Sequence, residues 1–308
     1  MRSALNPDSL TEHNDMTTHQ VLPNGSTNAI YSVDYSNDGK YVVAGSLNHR
    51  ILVWATDTWM VRKFTELHAD GVAAVRFSPN GEKILTGGLD KVVKLVNTSS
   101  LIAEISLAGS SDYVQSVAFL GDDGEHFVST GFDKKVRIWT TGGQLKEIDG
   151  MTGRAHSVDT SPDGKHILSG SIQSEVFLWS REGDVELKQI HHTKGVHAVA
   201  FAKHTSDLFA TAGGDGKVTV WNRATGEIQG NFRGHKGYIR GLTFSRDGKW
   251  LASGGQDGKI CVWSLETFRL KETLQQHTNT VYSLAFSPDG HHLVSGSFDR
   301  QVIHWTFD

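Results

Sequence analysis

The chain is short of the residues that staple small secreted proteins together. It has one cysteine, Cys261, among 308 residues, so no disulfide can form within it. Proline is also scarce, 5 against 33 glycines, which suits many tight turns between strands and not a proline-rich linker. No window approaches the roughly 18 continuous apolar residues of a membrane-spanning helix. The first twenty residues, MRSALNPDSLTEHNDMTTHQ, lack the apolar run of a signal peptide. A formal net charge of −4 supplies no general field for nucleic acid or acidic lipid. From these absences we expect a soluble, intracellular protein, in the cytoplasm with the nucleus left open.

What the chain has in abundance is copies of one pattern. Residues 277–305 read HTNTVYSLAFSPDGHHLVSGSFDRQVIHW, and residues 235–263 read HKGYIRGLTFSRDGKWLASGGQDGKICVW. The closing position recurs as Trp54, Val96, Trp139, Trp179, Trp221, Trp263 and Trp305, at spacings of 42, 43, 40, 42, 42 and 42 residues. Self-similarity at a period of about 40–45 residues is the mark of a radial or stacked repeat fold. It predicts one domain over 17–308, although length alone suggests about two. Residues 1–16 are polar and without periodicity, and are expected to be a flexible tail.

Each unit reads as strands. In the first, Ile30 to Tyr35 form an inner strand, Asn37-Asp38-Gly39 turns the chain, and Tyr41 to Ala44 and Ile51 to Trp54 follow, separated by a turn at Leu47-Asn48-His49. A fourth, amphipathic strand is expected after each closing position but the last, at 60–64, 101–105, 145–148, 185–188, 228–232 and 270–274. The seventh unit lacks one. Residues His19 to Leu22, set off by a turn at Pro23-Asn24-Gly25, are the available substitute. We therefore expect them to pair with the last unit and close a ring, removing open sheet edges.

Two stripes run through the inner strands. Six residues past the His277 position stand Ser32, Ala74, Ser116, Ser157, Ala198, Gly241 and Ser283, all small; three further on stand Tyr35, Phe77, Phe119, Thr160, Phe201, Phe244 and Phe286. Small residues let seven strands converge near an axis and large ones fill the space between units, so both read as core and neither as a cofactor box. The hairpin glycines Gly39, Gly81, Gly124, Gly164, Gly248 and Gly290 supply the positive φ of tight turns, with only His204 to Asp207 departing. The same role is expected of Gly213-Gly214 and Gly254-Gly255. No phosphate-binding or dinucleotide fingerprint is present.

On these residues the chain resembles the WD-repeat β-propeller family, through all seven units. The resemblance implies an all-β, seven-bladed propeller of four-stranded antiparallel blades, each braced by a His, Ser or Thr, Asp and Trp tetrad. Complete sets are His192, Thr211, Asp215 and Trp221; His235, Ser253, Asp257 and Trp263; and His277, Ser295, Asp299 and Trp305. Unit two has His68, Thr86 and Asp90 with Val96. Unit three has Ser129, Asp133 and Trp139 with Ser110 in the His place. Unit four has Ser169 and Trp179, with Met151 and Gln173 in the His and Asp places, and unit one has Ser26, Ala44, Asn48 and Trp54. The dipeptide that names the family is absent, each Trp being followed by Ala, Thr, Ser or Asn. A repeated His-Ser-Asp set ending on a Trp donor is what a buried network needs, whereas catalysis wants one set with an exposed nucleophile. No catalytic residue is expected.

The resemblance also implies that the His-side loops and the Asp turns share a partner-binding face. The residues before the Asp positions and three past the His positions give the candidates Leu47, Leu89, Tyr113, Phe132, Arg154, Ile172, Tyr238, Gln256 and Phe298. Tyr, Phe and Arg exposed on one face suit a protein or peptide interface; the alternative is that they fold down onto neighbouring blades. Gly195 and Gly214 suggest a groove beside blade five. Among 16 histidines, runs such as His191-His192-His197 and His291-His292 lack Cys or carboxylate partners at metal-ligand spacing, so no metal and no cofactor is expected. Lys134, Lys135 and Arg137 read as a solvated strand face, and direct nucleic-acid binding is not expected. The function expected is a non-catalytic scaffold, a monomeric subunit or adaptor within a multiprotein complex. The alternatives are a reader of modified peptides on the same face, or an enzyme with an axial site, against which the small axis-facing stripe offers no repeated carboxylates or metal ligands.

Overall fold

The computed structural model describes residues 17–23 and 26–307; the expected tail over residues 1–16, and part of the turn at Pro23, lie outside the described residues. Alternating and continuous apolar runs of about six residues, cut by Asp-Gly and Asn-Gly turns, give strands throughout. Four antiparallel strands make blade one, in chain order outward from the axis: Ile30–Tyr35, Tyr41–Ser46, Arg50–Ala55 and Val61–Glu66. Five further blades repeat this order, each closing position standing on its third strand. Blade seven takes Val281–Phe286, His292–Ser297 and Val302–Thr306 from the chain's end and Thr18–Val21 from its start. That outer strand pairs antiparallel, Thr18 opposite Thr306 and Val21 opposite Ile303, and the Leu22 N–H extends it by donating to Val302 O at 2.9 Å. Innermost strands of successive blades lie side by side, and that of blade seven lies beside that of blade one. The fold is the seven-bladed propeller the repeats predict, closed by the N-terminal strand.

The core lies between blades. Trp54, Val42 and Leu52 of blade one pack with Val294 and Val302 of blade seven, and Leu168 and Leu178 of blade four with Phe201, Phe209 and Trp221 of blade five. The second and third strands are therefore buried on both faces and carry near-continuous Val, Ile and Leu, while the outer strands alternate and stay half exposed. The small stripe does more than save space where it is serine. Ser32 Oγ accepts the Val75 N–H at 3.1 Å, Ser116 Oγ that of Val158 at 3.1 Å, Ser157 Oγ that of Val199 at 3.1 Å, and Ser283 Oγ that of Val33 at 3.0 Å. These inner-strand amides have no ladder partner on the axis side, and the preceding blade's hydroxyl satisfies them.

Hairpin glycines adopt positive φ as read, +72° at Gly39 and +66° at Gly164. Gly213, Gly214, Gly254 and Gly255 do not, which corrects the expectation for them. They are glycine because something else fills the Cβ position: His192 Cγ would lie 2.6 Å from a Cβ at Gly213, His235 Nδ1 2.4 Å from one at Gly255, and Val281 Cγ1 2.6 Å from one at Gly254.

Candidate functional site

In blade five the tetrad is a relay of short bonds. The Trp221 Nε1–H donates to Thr211 Oγ1 at 2.9 Å, Thr211 Oγ1 lies 3.0 Å from His192 Nε2, and His192 Nδ1 lies 2.9 Å from Asp215 Oδ1. Blades six and seven repeat it, with Trp263 and Trp305 donating at 2.9 Å to Ser253 and Ser295. His235 and His277 sit 2.9 and 2.7 Å from those hydroxyls, and 3.0 and 2.8 Å from Asp257 and Asp299. Each Asp also accepts a backbone N–H from the loop after the His, from Thr193, Lys236 or Thr278. The hydroxyls are buried and capped by Trp, so none is an exposed nucleophile. Blade two keeps the His68, Thr86 and Asp90 contacts without a Trp donor, and Thr86 Oγ1 donates to Lys94 O at 3.4 Å, as Ser295 Oγ of blade seven does to Ile303 O.

Blades three and four reach the same end by other residues. Arg137, only 2% exposed, pairs with Asp133 at 2.7 Å and with Glu147 at 2.9 Å, and donates to Ser110 Oγ at 3.3 Å. It occupies the space a histidine fills elsewhere, which corrects its reading as part of a solvated strand face; Lys135, which pairs with Glu147 and Asp149, fits that reading. In blade four the missing carboxylate comes from Glu175, two residues past Gln173. It accepts the Thr152 N–H at 2.9 Å and the Ser171 hydroxyl at 2.8 Å, and Met151 Sδ fills the His place 3.6 Å from Ser169 Oγ. In blade one, where Ala44 has no hydroxyl, Trp54 donates to Pro23 O at 2.8 Å.

The Asp turns and His-side loops do meet on one face. In every blade the residue before the Asp position donates its N–H to the carbonyl three past the His position: Leu47 to Ala29, Leu89 to Gly71, Phe132 to Tyr113, Ile172 to Arg154, Gly214 to Gly195, Gln256 to Tyr238 and Phe298 to Thr280. The candidates divide. Tyr113, Arg154, Tyr238, Gln256 and Phe298 are exposed, whereas Leu47, Leu89, Phe132 and Ile172 are half-buried. Leu47 packs over Gly71, whose Cβ position lies 2.6 Å from Leu47 Cδ2, and Ile172 sits over Gly195. Where a groove is expected at blade five, the Ile172 backbone lies against the Cβ position of Gly195 and the Tyr238 ring against that of Gly214.

At the centre of this face, the upper one, the axis opens at its upper mouth into a cavity of about 280 Å³. Its wall comes from a position that sequence reading passed over, five past the His: Tyr31, Ala73, Gln115, His156, His197, Arg240 and Tyr282. Rings run in sequence around the mouth, Tyr113 to Phe132 at 5.7 Å, Phe132 to His156 at 5.4 Å, His156 to His197 at 5.0 Å and His197 to Tyr238 at 5.0 Å. Opposite, Tyr31 stacks on Tyr282 at 4.2 Å, and Tyr282 meets Phe298 at 6.1 Å. Arg240 joins the two arcs. Its guanidinium lies 5.9 Å from the Tyr238 ring and 5.8 Å from the Tyr282 ring, and donates to His156 Nδ1 at 3.3 Å. Burial pushes His156 down to about 3 and His197 down to about 4, with Arg240 adding to both, so both are neutral at pH 7. The opposite mouth, about 390 Å³, differs in carrying acids: Asp159 pairs with Lys203 at 2.9 Å, and Asp34 accepts the Phe77 N–H at 2.8 Å.

The sequence matches the WD domain, G-beta repeat family over residues 16–55, 60–97, 102–140, 142–180, 185–222, 226–264 and 268–306. Among curated proteins it is similar to the guanine nucleotide-binding protein subunit beta of Zea mays, 26% identical over 66% of this chain and 57% of the relative. The counterpart in Nicotiana tabacum is 26% identical over 76% and 55%, and that in Arabidopsis thaliana 28% identical over 74% and 66%. The chain thus spans between about half and two thirds of the length of these relatives. Among the described residues no helix is long and apolar enough to cross a membrane. With seven matched repeats laid on seven blades, the chain belongs to the WD domain, G-beta repeat family.

Proposed function

We propose that this chain is a non-catalytic protein-interaction scaffold, folded as one domain over 17–308 and working inside cells as a subunit or adaptor of a multiprotein complex. Partners engage the face of His-side loops and Asp turns. The observation that carries the reading is the belt of rings around the upper mouth, with Tyr113, Tyr238 and Phe298 at 38, 39 and 44% exposure. Aromatic residues with Arg at hand, standing over a rigid platform, are the composition of interface anchors. The absence of chemistry is supported by the tetrads of blades five to seven, whose hydroxyls are consumed by Trp and His inside the blade. The relatives named as subunits support membership of an assembly. A peptide reader shares this face, and the cavity at its centre favours it as the second reading.

Affinity capture from native extract, comparing the unaltered chain with Phe132→Ala/Phe298→Ala at matched melting temperature, tests the proposal. Specific partners retained by the first and lost by the second are expected. Equal capture by both places binding on the rim or the opposite face, and sinks the assignment of this face.

A further inference from the structure

Resting on that reading of the face, we propose that the upper mouth is an anion-recognition site, taking one acidic side chain of a partner peptide, a carboxylate or a phosphorylated residue, onto the Arg240 guanidinium.

Charge is the first ground. The residues lining the mouth include Arg76 and Arg240 and no Asp or Glu, and Arg154 stands at the rim over Phe132 at 4.8 Å. Arg76 is spent inside the channel, donating to Val75 O at 2.8 Å and Ser32 Oγ at 3.3 Å. Asp70 and Asp112, on the rim loops, accept the backbone N–H of Gly71 and Tyr113. Arg240 has no carboxylate partner among the described residues; of its five N–H donors, one is used, on a neutral histidine. A half-buried cation without a counter-ion is costly unless a ligand supplies one.

Preorganisation is the second. Two tyrosine rings and His156 hold the guanidinium in place, so little side-chain freedom is lost on binding. Its planar fork matches a carboxylate or phosphate in two-point contact. Size is the third: about 280 Å³ falls just below the range of small-molecule pockets, roughly 300–1,000 Å³, and fits one side chain with the belt of rings left for its neighbours. The same geometry argues against a quaternary ammonium. Such a group seeks an aromatic cage free of positive charge, and here it would meet Arg240. The peptide-reader alternative therefore narrows to acidic peptides.

The test is titration of the isotope-labelled full chain with four acetylated, amidated pentapeptides of one neutral sequence, whose central residue is glutamate, phosphoserine, glutamine or trimethyllysine. Nuclear magnetic resonance of the Arg240 Nε–H and of the inner-strand amides is followed into the millimolar range. Saturable shifts at Arg240, His156 and Tyr282 are expected for glutamate and phosphoserine, weakening with added salt. A tighter phosphoserine complex assigns a phosphorylated partner, and a tighter glutamate complex an acidic one. Arg240→Gln weakens either by about tenfold or more, one charge-assisted contact, and Arg240→Lys restores part of the loss. Matched melting temperatures confirm that both variants fold. Glutamine or trimethyllysine binding as well as glutamate overturns the site, as do equal affinities in Arg240→Gln or the absence of any anion-dependent shift. Anion shifts with capture unaffected by Phe132→Ala/Phe298→Ala would leave the site standing and the partner face fallen; lost capture without anion shifts would mean the reverse.

Discussion

Blade six and blade three bury the same kind of polar centre with different residues. Blade six uses a histidine between Asp257 and the Ser253 hydroxyl that Trp263 caps. Blade three has no histidine and closes the space with Arg137, held by Asp133 and Glu147, above a Ser129 that Trp139 still caps. What persists between them is that every buried donor faces an acceptor; the residue type does not. Leaving a buried group unpaired costs more than a pair contributes, so any set that satisfies the inventory is tolerated. Blade four, with Glu175 displaced by two residues, is a third solution.

Breaking that comparison at its most buried charge has the largest expected effect. Arg137→Ala leaves Asp133 buried without its partner and is expected to lower unfolding free energy by about 3–5 kcal/mol, measured by urea denaturation. A loss under about 1 kcal/mol, the range of exposed pairs, would show that blade three does not depend on the pair. Asp257→Ala should cost less, about 1–3 kcal/mol for the unsatisfied His235 and loop amide; an unchanged melting temperature refutes the bracing role.

Histidine titration separates blades five and six, whose tetrads look alike. Burial drives His192 below its ordinary value, more than Asp215 restores. At His235 burial pulls down too, but the Asp257 hydrogen bond and the adjoining Cys261 sulfur prevail and raise it to about 9. The signs follow by linkage. A lowered pKa costs no stability above the unfolded value near 6.5, and costs progressively more as pH falls from there toward about 3 for His156 and about 4 for His197. The raised pKa of His235 gives stability that is full below about 6.5 and is lost as pH rises through about 9. Melting temperatures across pH 4 to 10 should therefore fall at both ends, with His235→Gln flattening the alkaline arm and His156→Gln/His197→Gln the acid arm. Retention of the alkaline fall in His235→Gln would assign it to another group. Smallest of all is Arg50→Ala, which removes an exposed pair with Glu66 and is expected to leave the melting temperature unchanged.

The fold was legible because it is written seven times. Trp spacing, turn glycines and the count of outer strands gave blade number, strand order and ring closure without any contact being known. The tetrads of blades five to seven were legible for the same reason. Arg137 and Glu175 were not, because each compensates for a missing residue from another position, and a repeat template looks only where the missing residue should be. The upper mouth escaped for the opposite reason. Its column, Tyr31, Ala73, Gln115, His156, His197, Arg240 and Tyr282, holds five residue types in seven blades and follows no repeat template. Flanked by Val, Ile or Ala on one side and the small stripe on the other, it is the place in the inner strand where type varies freely, and that variation was the available signal.

The closing strand has a mechanical consequence. Thr18 and Thr306 face each other at one end of the pairing, and all four side chains of Thr18–Val21 are exposed. Tension applied between residues 17 and 307 therefore acts at that end and loads one residue pair at a time, from Thr18–Thr306 to Val21–Ile303, instead of shearing all of them together. Pulled this way the ring unzips at its seam in small steps and at low force, once the Thr17 hydroxyl has left Glu272 on the outer strand of blade six.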